Sequence, residues 1–205
     1  MNEFDIKAAG WDMNPMHRDR SIAVAEGIRK NINLNVNMTA LEYGAGTGIA
    51  SFLLKDYLKE IVMLDSSAEM VRITNEKIES AGAVNLKSIL YDLEKDNWQG
   101  AKFDLIMTQM VLHHVSDIDS IFIKFSKMLN PGGYIAIADL YPEDGSFHGE
   151  EFTGHKGFDT KELSASLNKA GFNITSEEKC FVLNRKISQA ETKQFDIFLL
   201  IGSHS

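Results

Sequence analysis

The sequence predicts an α/β fold: a doubly wound, seven-stranded, mostly parallel sheet with one antiparallel strand near its edge and helices on both faces. Three observations predict it. From Met38 onward, short apolar runs alternate with longer amphipathic stretches, the pattern of a parallel sheet covered by helices. The first apolar run feeds a glycine turn, Glu42-Tyr43-Gly44-Ala45-Gly46-Thr47-Gly48, which opens onto a helical stretch. The last two apolar runs are separated only by the polar segment Asn184 to Thr192, which suits a hairpin and leaves no room for a helical crossover.

Taken in order, Met38 to Tyr43 reads as the first strand. Ile49 to Leu58 then places Ile49, Phe52, Leu53 and Tyr57 at helical spacing. Glu60 to Leu64 is a second buried strand ending at Asp65. Ser66-Ser67-Ala68-Glu69 is a capping-box pattern, which predicts a helix from there to Ser80, stopped by Gly82. Asn85 to Leu90 and Phe103 to Thr108 are the third and fourth strands. Ser116-Asp117-Ile118-Asp119 opens a helix that runs to Leu129, and Pro131-Gly132-Gly133 is a tight turn into a fifth strand, Tyr134 to Leu140. After a loop rich in glycine and histidine, Asp159-Thr160-Lys161-Glu162 caps a helix ending at Gly171. Thr175 to Leu183 and Lys193 to Leu200 are the final strands. Ahead of the sheet, Ser21 to Ile32 has helical spacing and is expected to lie over the ligand-binding edge. Residues 1–37 are thus read as an N-terminal helical lid on a core of residues 38–205, all within a single domain.

The chain has 205 residues, 44% hydrophobic and 24% charged, enough for one sizeable core. Its net charge of −8 disfavours binding nucleic acid by long-range attraction. No apolar run approaches the roughly 18 residues of a membrane helix, and Met1 to Asp12 lacks an apolar signal core. The sole cysteine, Cys180, rules out an intramolecular disulfide and suits a reduced, cytoplasmic location. Neither nucleic acid nor membrane is expected as a partner, and the chain is expected to be a monomer or homodimer.

Ligands of a doubly wound sheet collect beyond the carboxyl ends of its strands, where the glycine turn sits. A dinucleotide site wants G-x-G-x-x-G, but the third position is Ile49 when read from Gly44 and Ser51 when read from Gly46. A phosphate loop is excluded as well, because no Gly-Lys-Ser/Thr follows. The pattern present is G-x-G-x-G with Glu42 two residues ahead of the first glycine and Asp65 at the end of the next strand.

That pattern resembles the first motif of the class I S-adenosylmethionine-dependent methyltransferases, whose fold is Rossmann-like. Three later segments repeat the resemblance: Tyr91-Asp92-Leu93 after the third strand, Phe103-Asp104-Leu105-Ile106 leading into Leu112-His113-His114, and Asn130-Pro131-Gly132-Gly133-Tyr134 before the fifth. It covers residues 38 to 140 well and the rest more loosely, and is nearest to small-molecule enzymes of the ubiquinone and menaquinone biosynthesis type. It implies S-adenosyl-L-methionine as cofactor, S-adenosyl-L-homocysteine as product, and a small-molecule methyl acceptor. By the same resemblance Gly44, Ala45, Gly46 and Gly48 form the cofactor turn, and Glu42 supports it and the cofactor's amino group. Asp65 would hold the ribose, Ser66 and Met70 would lie near the adenine, Asp92 and Leu93 would meet the adenine ring, and Gln109 would face the ammonium. Trp11 would close over the site.

Methyl transfer from a sulfonium needs alignment of the acceptor and exclusion of water. A base near neutral pKa would help if the acceptor is an alcohol, phenol or thiol. His113 and His114 follow the fourth strand, and His148 and His155 the fifth. Of these, His114 and His148 are the candidate catalytic bases. No metal is assigned, since the candidate ligands Glu143, Asp144, His148 and His155 match no firm spacing pattern. Other readings of the same turn are a cofactor-binding regulatory or scaffold protein without catalysis, and a nucleotide-dependent oxidoreductase, which the missing third glycine opposes.

Overall fold

A computed structural model describes residues 3–149 and 151–204. Its seven strands are β1 (Thr39–Tyr43), β2 (Glu60–Asp65), β3 (Leu86–Leu90), β4 (Phe103–Gln109), β5 (Leu129–Leu140), β6 (Phe172–Lys186) and β7 (Thr192–His204). They form one sheet in the order β3-β2-β1-β4-β5-β7-β6. The first five pair in parallel, while β7 runs antiparallel to both β5 and β6. The order reverses between β1 and β4, which opens a crevice at their carboxyl ends. This is the Rossmann-like arrangement that the alternation predicts.

The described helices are α1 (Glu3–Lys7), α2 (Pro15–Asn31), α3 (Ile49–Leu54), α4 (Ala68–Ala81), α5 (Ile118–Met128) and α6 (Thr160–Lys169). Both faces of the sheet are covered, so β2 reads as the unbroken apolar run Ile61-Val62-Met63-Leu64. Ile61 and Met63 join Ala40, Ala136 and Ala138 in the core beneath α2 and α3. Val62 and Leu64 join Leu41, Phe122, Phe125 and Leu167 in the core beneath α5 and α6. Each fully buried side chain of this size contributes roughly 1.5–3 kcal/mol. Among the described residues no helix is long and apolar enough to cross a membrane.

Several boundaries differ from the sequence reading. The helix expected to start at Ser21 begins at Pro15, because Asn14 caps it by accepting from the Met16 N–H (3.1 Å) and proline suits the first helical position. That helix is also more than a lid. Val24, Ala25 and Ile28 are buried in the main core, and a Cβ on Gly27 would lie 2.4 Å from Leu199 Cδ2. The cap of α4 is Ser67 rather than Ser66: its side chain accepts from the Met70 N–H at 3.2 Å. The α-helix after the glycine turn stops at Leu54 and continues to Tyr57 as a 3-10 turn. The segment expected to be a turn before the fifth strand is counted into β5, whose register against β4 jumps between Phe103 and Leu105. β6 and β7 extend well beyond their expected ends. One face of the edge strand β6 meets solvent, and its polar alternation masks its length.

Candidate functional site

A cavity of about 790 Å3 lies over the carboxyl ends of β1, β2, β4 and β5, within the usual size range for small-molecule sites. Gly44, Ala45 and Gly46 form part of its floor. Gly44 (φ 66°) is in the left-handed region, and a Cβ there would come within 2.4 Å of Val111. Gly46 (φ 55°) faces open space: a Cβ would meet only Trp11 Nε1 at 3.8 Å and Met70 Sδ at 3.9 Å. The floor is therefore a cradle without side chains, as close approach of a ligand to backbone requires.

Asp65 holds this cradle in shape. Its carboxylate accepts from the Gly46 N–H (2.7 Å) and the Ser67 N–H (2.8 Å), while burial pushes its pKa up. Asp65, Ser66, Met70, Asp92 and Leu93 all line the same end of the cavity. Asp92 is paired with Lys95 (2.6 Å), which holds its carboxyl below the ordinary range. Gln109 lines the cavity from the end of β4, and its amide exchanges hydrogen bonds with the Ser21 hydroxyl of α2 (3.0 Å).

Glu42 and Gly48 do not line the cavity but lie behind its wall. Glu42 shares the face of β1 that carries Ala40, so its carboxyl points under α3 and accepts from the Ser51 hydroxyl (2.5 Å). Complete burial raises its pKa to about 7. Gly48 serves as the left-handed cap of α3 (φ 75°). Both support the turn from below.

Residues of the N-terminal segment, among them Phe4, Lys7 and Trp11, also line the cavity. Trp11, in a 3-10 turn over Ala8–Met13, packs against His17 with ring centres 4.2 Å apart. This turn is latched to the glycine loop: Thr47 Oγ1 donates to Asp12 Oδ1 (2.5 Å), and Lys77 Nζ donates to Asp12 Oδ2 (2.6 Å). Ser67 Oγ donates to Asp5 (2.6 Å), and Phe4 sits 5.2 Å from His114.

The opposite end of the cavity gathers His113, His114 and His148. His113 is almost fully buried and donates its Nδ1–H to the buried Asp139 at 2.6 Å. Burial lowers the pKa of His114 to about 4 and of His148 to about 3, so both are neutral near pH 7. His148 stacks on Phe152 (4.0 Å between centres). Met110, the residue leading into this turn, has φ 56°, strain concentrated beside the site.

Of the residues weighed and not assigned as metal ligands, Glu143, Asp144 and His155 are engaged elsewhere. Glu143 accepts from the N–H groups of Gly145 and Phe147, Asp144 pairs with Lys193, and His155 Nε2 donates to the Val115 carbonyl at 3.0 Å. Sequence reasoning named His113 without choosing it, and missed its partner Asp139 together with Arg20 and Arg185. Arg20 is buried, with its Nε lacking a hydrogen-bond partner among the described residues, and desolvation lowers its pKa to about 10. Arg185 reaches the cavity from β6 across the Phe147 ring, 4.5 Å from its centre. The alternation of Phe181, Leu183 and Arg185 was the available signal for that strand extension.

Comparison with known proteins agrees with this geometry. A family model described as a methyltransferase domain matches residues 34–195. An uncharacterized methyltransferase of Schizosaccharomyces pombe is 30% identical over 148 residues, covering 67% of this chain and 52% of that protein. YcgJ, an uncharacterized methyltransferase of Bacillus subtilis, is 26% identical over 146 residues, 68% of this chain and 56% of its own length. The chain spans about half the length of these curated relatives. The methyltransferase in a complex with the Haloferax volcanii Trm112 methyltransferase activator shares the fold, with TM-score 0.79 at 19% identity over 100% of this chain and 98% of that one. The family match spans well over half of the residues, so this chain belongs to the methyltransferase-domain family, of the class I, S-adenosylmethionine-dependent type.

Proposed function

We propose that the protein transfers the methyl group of S-adenosylmethionine to a small-molecule acceptor and releases S-adenosylhomocysteine. The observation that carries this reading is the division of one cavity between a glycine cradle and a cluster of three imidazoles. The cofactor supplies an electrophilic methyl group on a sulfonium and needs no activation by the protein. The chain's part is to bind, align and exclude water.

In this reading the backbone of Gly44, Ala45 and Gly46 lies against the methionine portion, with Gln109 toward the ammonium. Asp65 offers its remaining lone pairs to the ribose hydroxyls, a charge-assisted contact. Ser66 and Met70 flank the adenine, Asp92 and Leu93 meet its edge, and Trp11 covers the cofactor. Glu42 and Gly48 act indirectly, by holding the turn. His114 and His148 face the acceptor and, as neutral imidazoles, accept hydrogen bonds that orient its reacting oxygen or sulfur toward the methyl carbon. The size of the cavity supports a small acceptor.

Calorimetric titration with S-adenosylmethionine and S-adenosylhomocysteine tests the cofactor half. A methyl-transfer screen over phenols, thiols and amines tests the rest. Tight binding of both ligands and transfer to a member of the panel is the expected result. Binding without transfer would favour a regulatory or scaffold role, and absence of binding would overturn the reading.

A further inference from the structure

His113 and His114 lie on the turn after β4, and His148 on the loop after β5, yet each offers one ring nitrogen within 4.8 Å of those of the other two. Two features make this more than a cluster of aromatic rings. The Nδ1–H of His113 is committed to Asp139, which fixes the tautomer and leaves the lone pair on Nε2. Carboxylates hold metal-binding histidines in this way. His148 Nε2 is buried and has no hydrogen-bond partner among the described residues. A polar atom in that state calls for a ligand.

We propose that His113, His114 and His148 form a three-imidazole site for a divalent transition-metal ion of the Zn2+ class, whose open position takes the oxygen or sulfur of the methyl acceptor. Imidazole nitrogen suits Zn2+, whereas Mg2+ and Ca2+ want oxygen ligands. Three protein ligands and one open position is the arrangement of catalytic zinc sites. The nitrogens must close to about 3.4 Å for tetrahedral ligation at a Zn–N distance of about 2.05 Å. His148 lies in the irregular loop between β5 and α6, where such a shift is absorbed. Asp139, fully buried beside His113, supplies compensating negative charge. Arg20 and Arg185 also line the cavity and oppose a cation, which the anionic acceptor offsets.

The use of the ion rests on the methyl-transfer reading, but its binding does not. On coordination the acceptor loses its proton to solvent. Its lone pair then forms the new bond to the methyl carbon, and the electrons of the breaking sulfur–carbon bond return to sulfur as a neutral thioether.

The test is competition of the full chain with a chromophoric chelator for Zn2+, with Co2+ as an absorbing replacement and a parallel titration with S-adenosylhomocysteine. The expected result is about one Zn2+ per chain at micromolar affinity or tighter, with a visible Co2+ spectrum of low coordination number. His114→Ala and His148→Ala are each expected to weaken binding roughly tenfold or more, and Asp139→Asn roughly tenfold. His155→Gln, outside the cluster, leaves it unchanged. Thermal melting without metal confirms that each variant folds, and the glutamine replacements serve where alanine does not. Binding weaker than about 100 μM, or binding that survives both histidine substitutions, overturns the proposal. Binding of S-adenosylhomocysteine without Zn2+ would sink the metal site and leave methyl transfer standing; the reverse pattern would do the opposite.

Discussion

The glycine end of the cavity, which we assign to the cofactor, is built from short segments that each directly follow a strand, whereas the histidine end, which we assign to the acceptor, is assembled from parts far apart in the chain. Gly44 to Gly46 follow β1, Asp65 ends β2 with Ser66 just beyond it, and Asp92 follows β3. Each is placed by the strand before it. His113 and His114 meet His148 only because β4 and β5 are neighbours, and Arg185 arrives on a hairpin that reaches back over the site. The cofactor end is held by hydrogen bonds from backbone N–H groups to Asp65. The acceptor end is held mainly by ring packing around one buried carboxylate, Asp139. The first kind of site tolerates change in remote segments; the second depends on several of them at once.

The largest expected effect concerns the support beneath the glycine turn. Burial raises the Glu42 carboxyl from 4.5 to about 7, so the folded protein holds a proton there that the unfolded chain has lost. This contribution is fully present below about pH 4.5 and is lost as pH rises through about 7. It amounts to on the order of 3 kcal/mol. Glu42→Gln stays neutral and should show a flatter decline in urea-unfolding stability from pH 5 to 8 than the parent. Identical slopes in the two proteins would rule this out.

Removing the brace at the cofactor end comes next. Asp65→Ala should weaken S-adenosylhomocysteine binding at least roughly tenfold, since charge-assisted hydrogen bonds are worth about 1.5–3 kcal/mol. Unchanged affinity by calorimetry would mean that the cradle holds its shape without this carboxylate. At the other end, His148→Ala should lower turnover with an acceptor from the screen by roughly tenfold or more while leaving S-adenosylhomocysteine affinity within about twofold. Parallel loss of both would show that the two ends are one unit, which breaks the contrast.

The smallest effect is expected at the latch. Asp12→Ala frees Thr47 and Lys77, and because the Asp12–Lys77 pair is partly exposed it should cost about threefold in cofactor affinity, or ~0.7 kcal/mol. A tenfold loss would make the N-terminal segment a principal binding element rather than a cover.

Much of the sheet was legible because its strands are buried on both faces and read as continuous apolar runs, as β2 does. Boundaries were less so. Asn14 and Pro15 announce the true start of α2, but the apolar period is clearer from Ser21 onward. Gly132 and Gly133 look like a turn, whereas the chain there keeps pairing through an irregular register against β4. Among candidate site residues, those whose position follows from a strand end were placed on the cavity. Glu42 was not, because which face of β1 it occupies depends on what packs there.

By itself the sequence determined the sheet, its single antiparallel strand and the glycine cradle, since each depends on local spacing and on residue types that the backbone demands. Only the tertiary structure decided which histidine meets Asp139, that the Glu42 carboxyl is buried against Ser51, and that Arg20, Arg185 and three imidazoles line one cavity. These are consequences of sheet order and of burial, which arise when distant segments pack together.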